Sequence, residues 1–203
     1  MRITSLESVK GKKSRIYLDG EFAFTLYQKE IRYYEMKEEM ELSQTQYEQI
    51  LEETVLRRAK LRCLNLLQAM DRTEFQMRQK LRQAEYPEEV VERAIAYAKE
   101  YRYVDDRRYA EQYIRCFREK KSRQQIMQEL QKRGIDRNTV QEALNESEPV
   151  DECKQILKWM EKKRFDPENA DYKECQKFCA FLARKGFSAE NIRRICTEAM
   201  QNV

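Results

Sequence analysis

The stretch Ser122–Leu144, SRQQIMQELQKRGIDRNTVQEAL, decides the fold. Ser122 followed three residues later by Gln125 is the pattern of a reciprocal helix cap, in which hydroxyl and amide each satisfy a backbone N–H. Ile126 and Leu130, four apart, share one face of the helix that follows. Gly134 takes the left-handed conformation at a helix end without a Cβ penalty. Asp136 suits the cap of a second helix, whose Val140 and Leu144 again lie four apart. The segment predicts two helices, each apolar on one side, separated by a short stop.

The same spacing occurs three times, anchored on Leu81, Leu130 and Leu182. Four residues after each anchor stands Glu85, Gly134 or Gly186, and then Tyr86, Ile135 or Phe187. Met77, Ile126 or Phe178 precedes the anchor, while Val91, Val140 or Ile192 and then Ile95, Leu144 or Cys196 follow it. Copies about 50 residues apart indicate a helical array whose units bury faces too large for any one of them to cover. We expect a mostly α fold with three tandem three-helix repeats in an elongated curved array.

In the first repeat a long helix runs from a cap at Ser43 through Glu53 towards Met70. Thr73 with Gln76 caps a second helix to about Ala84, and Pro87 is expected at the first position of a third, with Glu88 and Glu89 at its positive end. The second repeat starts at Asp105-Asp106 and runs to about Lys120, followed by the two helices described above. The third reads as helices near 150–164, 171–185 and 188–201, with Gly186 as stop and Ser188 as cap. Ser147-Glu148-Pro149 is the expected hinge between the second and third repeats.

The first residues differ. Arg15–Leu18 and Glu21–Leu26 flank Asp19-Gly20, the preferred pair of a two-residue hairpin turn, and Ile3–Val9 supplies a third strand. A hairpin alone is marginal in water, so this antiparallel meander must dock on something. The segments are an extension with a linking helix at 1–53, then repeats at 54–104, 105–148 and 149–203.

The 203 residues include 40 Lys and Arg, 36 Asp and Glu, four Gly, three Pro and no His. This is a densely charged, helix-rich composition, apolar enough to fold. No apolar run approaches the ~20 residues of a membrane span, and the start lacks a signal peptide's apolar core, so a cytoplasmic protein is expected. The glycines are too far apart for a phosphate loop or dinucleotide fingerprint. Without His, the commonest general base is missing. No catalytic residue, cofactor or metal site is expected. The six cysteines form no C-x-x-C pair; Cys175 and Cys196 fall on apolar helix faces, where small hydrophobes pack.

The net charge of +4 is spread evenly, so a nucleic-acid surface must arise by folding cations onto one face. Lys154, Lys158 and Lys162 form one stripe. Arg78 and Arg82 share a face, Arg115 and Arg118 lie close, and Lys121 and Arg123 follow. Arg57, Arg58, Lys60 and Arg62 open the first repeat. Base-specific readout is disfavoured, because the third helices of repeats one and two, residues 87–100 and 136–146, are acidic.

Tyr103-Val104-Asp105-Asp106-Arg107-Arg108-Tyr109-Ala110, then Ile126, Leu130 and Gly134-Ile135, resemble the central motif of the RecX family, bacterial regulators of the recombinase RecA. The likeness extends over the chain, from the Asp-Gly hairpin through all three repeats. Arg102 stands where that family often has Gly, and Glu85 replaces the first repeat's helix-stop Gly, so different helix ends are expected at both. The resemblance implies a non-catalytic partner of the RecA–single-stranded-DNA filament that lies in the filament groove and limits ATP hydrolysis, strand exchange and growth. Arg78, Arg82, Arg115, Arg118, Lys121, Arg123, Lys154, Lys158 and Lys162 are the candidate contacts to RecA or DNA, chosen on charge position alone. A monomer is expected. The alternatives are a non-specific DNA-binding protein that competes for DNA, and a protein-interaction scaffold with solvated basic stripes. Replacing the repeat anchor Leu130 with Ala should cost about 2–5 kcal/mol in denaturant melting if Leu130 is buried; a smaller loss would remove it from the core.

Overall fold

The computed structural model describes residues 1–194. The described chain is mostly helical behind an N-terminal sheet, and it falls into two compact units, Met1–Asp105 and the residues from Asp106 onward.

In the first unit, β1 (Ile3–Val9), β2 (Lys13–Leu18) and β3 (Glu21–Tyr27) form an antiparallel meander in that order. Asp19 and Gly20 both take positive φ at its turn, as the dipeptide requires. Alternation on β2 buries Ser14, Ile16 and Leu18 on one face. After the short α1 (Gln28–Tyr33), Ser43 accepts from the Gln46 N–H and opens α2 (Gln44–Ile50). α2 runs through a π-helical turn, Leu51–Leu56, into α3 (Arg57–Ala69) without leaving helical dihedrals. The long helix expected from Ser43 is therefore one rod with a π turn inside it. α4 (Glu74–Arg82) and α5 (Glu88–Glu100) complete the first repeat.

Sheet and repeat share one core. Ile3, Ile16, Phe24 and Leu26 pack with Ile50, Val55, Leu56, Met77, Leu81 and Val91. Burying an aliphatic or aromatic side chain is worth about 1.5–3 kcal/mol, which gives the meander the support it lacks by itself. Arg58 of α3 fastens the docking edge: it pairs with Glu30 at 2.6 Å and donates to the Thr25 carbonyl at 2.5 Å.

The second unit holds α6 (Asp106–Phe117), α7 (Arg123–Lys132) and α8 (Arg137–Glu146), then α9 (Glu152–Lys163), α10 (Tyr172–Arg184) and helical residues 189–194. The rest of the last expected helix, with Cys196, lies outside the described residues. Ala110, Ile114, Ile126, Leu130, Val140 and Leu144 form the core of repeat two, and Ile156, Phe178, Leu182, Phe187 and Ile192 that of repeat three.

The recurring spacing has one physical meaning. Each anchor is fully buried, and its carbonyl accepts from the N–H five residues on: Tyr86 to Leu81 at 3.3 Å, Ile135 to Leu130 at 3.2 Å, Phe187 to Leu182 at 3.2 Å. The residue between takes left-handed dihedrals, and the residue after it turns its side chain into the core. This is the Schellman end, closed by an apolar contact.

Two expectations need correction here. Glu85 and Arg102 do not bring a different helix end: their φ values are 60° and 53°, and Tyr103 donates to the Ala98 carbonyl at 2.8 Å in the same pattern. The geometry is kept and a side chain is placed in it, at a cost of about 1–2 kcal/mol. Glu85 is held there by Arg15 of β2, whose Nε donates to it at 3.0 Å. Pro87 is the N-cap of α5 rather than its first helical residue, with extended ψ of 148°.

Repeats two and three meet at these same ends. Ser122, the buried cap of α7, also donates to the Lys185 carbonyl at 2.8 Å. Buried Gln155 of α9 donates to the carbonyls of Arg118 and Lys121, at 2.6 and 3.2 Å, beyond the end of α6. A Cβ on Gly186 would stand 2.9 Å from Ser122 Oγ and 3.1 Å from Gln124 Cβ, on a backbone with φ of 77°. Gly186→Ala should therefore destabilise the second unit by at least about 2 kcal/mol, from left-handed strain and overpacking together. Denaturant melting of the full chain measures this, and wild-type stability would refute it.

Candidate binding surface

The nine cations proposed from the sequence divide sharply in the structure. On α4, Arg78 pairs with Glu74 at 2.8 Å and with Glu92, and Arg82 Nε donates to Glu88 at 2.9 Å. The Arg82 hydrogen bond holds the Glu88 carboxyl below its ordinary range. Burial pushes Glu74 up, but Lys99 and Arg78 outweigh it and keep that carboxyl low as well. Both arginines tie α4 to α5 or its entry, as internal clasps of the first repeat.

In the second unit Lys121 follows α6 and turns back onto Tyr113 and Glu129; its ammonium donates to the Tyr113 hydroxyl at 2.8 Å. Burial works against the charge on Lys121, but the bonds to Glu129 and Tyr113 raise its pKa overall. Arg123 donates to the Leu144 carbonyl at 3.3 Å and to Asn145 Oδ1 at 2.7 Å, capping the end of α8. Arg118 pairs with Glu148 in the linker to α9.

Four cations remain exposed without an ion pair among the described residues: Arg115 on α6, and Lys154, Lys158 and Lys162 on α9. Lys162 lies over the Trp159 ring at 4.8 Å. The linker brings the two helices' cations together. A hollow of about 160 Å³ is lined by Arg118, Pro149, Gln155, Lys154 and Lys158, with Glu119, Glu148 and Asp151. Arg118 also borders an adjoining hollow of about 300 Å³ with Arg115. The structure thus joins Arg115, Arg118, Lys154 and Lys158 along one side of the second unit, and directs Lys121 and Arg123 inward to their partners.

A basic hollow that site selection from the sequence missed lies in the first unit. It has a volume of about 620 Å³ and is lined by Lys13, Arg58, Arg62 and Lys80 together with Tyr27 and Tyr86. Its signal was half visible, in the run Arg57, Arg58, Lys60, Arg62. Lys13 and Tyr27 come from the sheet, and nothing in their local sequence points towards α3.

Among the described residues, no group of three acidic or cysteine side chains is placed to hold a metal, and no helix is long and apolar enough to cross a membrane. Cys63 is buried, and desolvation pushes its thiol up to about 11, so it behaves as a packing group.

Residues 59–97, 105–144 and 151–196 match in turn the first, second and third three-helix domains of RecX. The chain belongs to the RecX family. It is 30% identical to the regulatory protein RecX of Clostridium acetobutylicum over 203 residues, 97% of this chain and 95% of that one. Against the regulatory protein RecX of Clostridioides difficile the identity is 28% over 204 residues, covering 98% and 95%. A crystal structure of regulatory protein RecX superposes with a TM-score of 0.65 at 26% identity, over 97% of this chain and 98% of that one. RecX from Lactobacillus salivarius gives 0.64 at 25% identity, over 73% and 97%. The RecX relatives are regulatory proteins by name, and the likeness to them takes in the N-terminal sheet as well as the three repeats.

The clasp in this RecX chain's second repeat has a pH signature. Hydrogen bonds from Lys121 and Tyr113 lower the Glu129 pKa. A carboxylate depressed in the folded state stabilises above its unfolded pKa, and that contribution disappears as pH falls through the folded value. Glu129→Gln should lower the melting midpoint near neutrality by no more than about 4 °C, the scale of a half-exposed ion pair. The two proteins should converge below the carboxylate range. Thermal melts from pH 7 to 3 measure this; a gap that persists at pH 3 would assign the loss to packing.

Proposed function

We propose that this chain regulates the RecA recombinase by binding the RecA–single-stranded-DNA filament, restraining ATP hydrolysis, strand exchange and filament growth. The observation that carries the proposal is the match to RecX in all three helical domains, with likeness to a RecX crystal structure over 97% of the chain. The surface of the second unit supports it. Arg115, Lys154 and Lys158 are charged, exposed and not consumed by ion pairs among the described residues, so they are offered to phosphates or carboxylates on the filament. Arg118 sits between them, with Glu148 as an exposed partner that a filament could displace. Arg78, Arg82, Lys121 and Arg123 are proposed as contributors only through the shape they hold.

A repeat protein suits this task physically. Several modules on one chain can touch several protomers, and modest contacts then sum to avidity. No residue of the chain is assigned a catalytic role, no cofactor is invoked, and the regulator acts as a monomer in the cytoplasm.

The test is ATP hydrolysis by the cognate RecA on single-stranded DNA in large excess, with this protein well below the RecA concentration. Direct action on filaments predicts inhibition at those ratios. Lys154→Glu with Lys158→Glu should raise the concentration needed for half-inhibition by about tenfold, the effect of losing ~1.4 kcal/mol of contact. No inhibition, with binding to bare DNA that is steeply salt-dependent, would mean competition for DNA instead.

A further inference from the structure

We propose that the hollow between the sheet and α3 in the first unit is a binding site for single-stranded nucleic acid, with phosphates at Lys13, Arg62 and Lys80 and an unstacked base in the recess. The choice of a nucleic-acid strand over another polyanion rests in part on the function proposed above; the geometry stands without it.

The charge comes first. Lysines and arginines in this chain are nearly matched by acids, 40 against 36, and Arg78, Arg82 and Lys121 each sit beside a carboxylate. The hollow is lined differently. Four of its lining residues are cations, and none of the described lining residues is an acid. Glu30 neutralises Arg58 from outside the lining at 2.6 Å. Arg62 is exposed and makes no hydrogen bond or ion pair among the described residues. Among the described residues, the Lys80 ammonium has the Gln83 amide, at 3.2 Å, and the Lys13 ammonium the Tyr27 ring, at 5.0 Å, with no carboxylate paired to either. Three like charges around one recess repel each other, and an anion relieves that repulsion.

The remaining lining selects among anions. Leu61 is 53% exposed, and with half-buried Ala84 it offers an apolar surface of the kind a base face covers. Asn65 and Gln83 carry amides that both donate and accept, which suits base edges. Inorganic phosphate would use only the cations. A duplex keeps its bases stacked inside and presents none to a recess of about 620 Å³, whereas a single strand can splay one out.

The surface continues beyond the hollow. Leu61 also lines a second depression, of about 270 Å³, with Arg57, Lys60 and Tyr97. Its carboxylate, Glu52, is held by Arg93. Lys60 lies 4.8 Å over the Tyr97 ring, and exposed Tyr101 stacks on Tyr103 with centroids 6.0 Å apart. Cations of α3 set beside aromatic rings of α5 and of the residues just after it are an arrangement that tracks a strand without reading its sequence.

The experiment measures anisotropy of a fluorescein-labelled oligo-dT with the full chain, without recombinase, at several salt concentrations. Arg62→Glu combined with Lys80→Glu should weaken binding by about tenfold or more. It should also reduce the slope of log K against log salt by about 1.4, the loss of two contacts at ~0.7 each. The charge-keeping pair Arg62→Lys with Lys80→Arg should retain the wild-type slope, and a duplex of equal length should compete poorly. Undiminished oligo binding or an unchanged slope in the acidic pair would overturn the proposal. So would equal competition by duplex, by inorganic phosphate, or by free thymidine triphosphate at matched nucleotide concentration. If oligo binding depends on the hollow while RecA hydrolysis is untouched by the wild-type chain, the site stands and the filament reading fails. If hydrolysis is inhibited and the acidic pair binds oligo normally, the filament reading stands and the site fails.

Discussion

The three-helix repeats depend on how their middle helices stop. Each ends in one left-handed residue, after which the chain drops a side chain into the core beside the anchoring leucine and donates its N–H back to that leucine's carbonyl. The stop does two jobs. It satisfies carbonyls that would otherwise be orphaned at a helix end, and it sets the direction in which the third helix leaves. With that direction defined, Val91, Val140 and Ile192 fall into the cores that Leu81, Leu130 and Leu182 anchor.

The same constraint accounts for the scarcity of glycine. Arg102 and Arg164 end α5 and α9 in left-handed geometry, Glu85 ends α4, and Glu35 follows α1 likewise. Only the second and third repeat stops use Gly. For Gly186 there is an added reason, because the close approach of Ser122 leaves no room for a Cβ. In the first repeat the corresponding position faces Arg15 of the sheet, and a glutamate there forms an ion pair across the sheet–repeat junction. The difference between Glu85 and Gly186 thus records what each repeat packs against.

The charged surface follows a related division. Arg123 and Lys121 are absorbed in capping and clasping. Arg115, Lys154, Lys158 and Arg62, wherever they fall along their helices, stay exposed without ion pairs among the described residues. Helical spacing places residues on a face but does not say whether an acid on the neighbouring helix faces them. That is why the shared face of Arg78 and Arg82 was legible in the sequence, and their ion pairs to Glu92 and Glu88 were not. It is also why the hollow around Arg62 was missed: half its charge comes from Lys13 and Lys80, far away in the chain.

Local chemistry by itself determined the elements: caps at Ser43, Thr73, Ser122 and Asp136, stops at Gly134 and Gly186, the Asp19-Gly20 turn and the identity of the buried anchors. These rest on hydrogen bonds and contacts within about five residues, so short windows of sequence contain them. Only the tertiary structure decided that the sheet shares a core with the first repeat, that Glu85 and Arg102 keep the glycine geometry, and which cations are spent internally. Those outcomes turn on pairs such as Arg15 with Glu85 and Gln155 with the Arg118 carbonyl, remote in sequence and adjacent in space. Charge and period are properties of a segment, whereas the availability of a charge is a property of its neighbours.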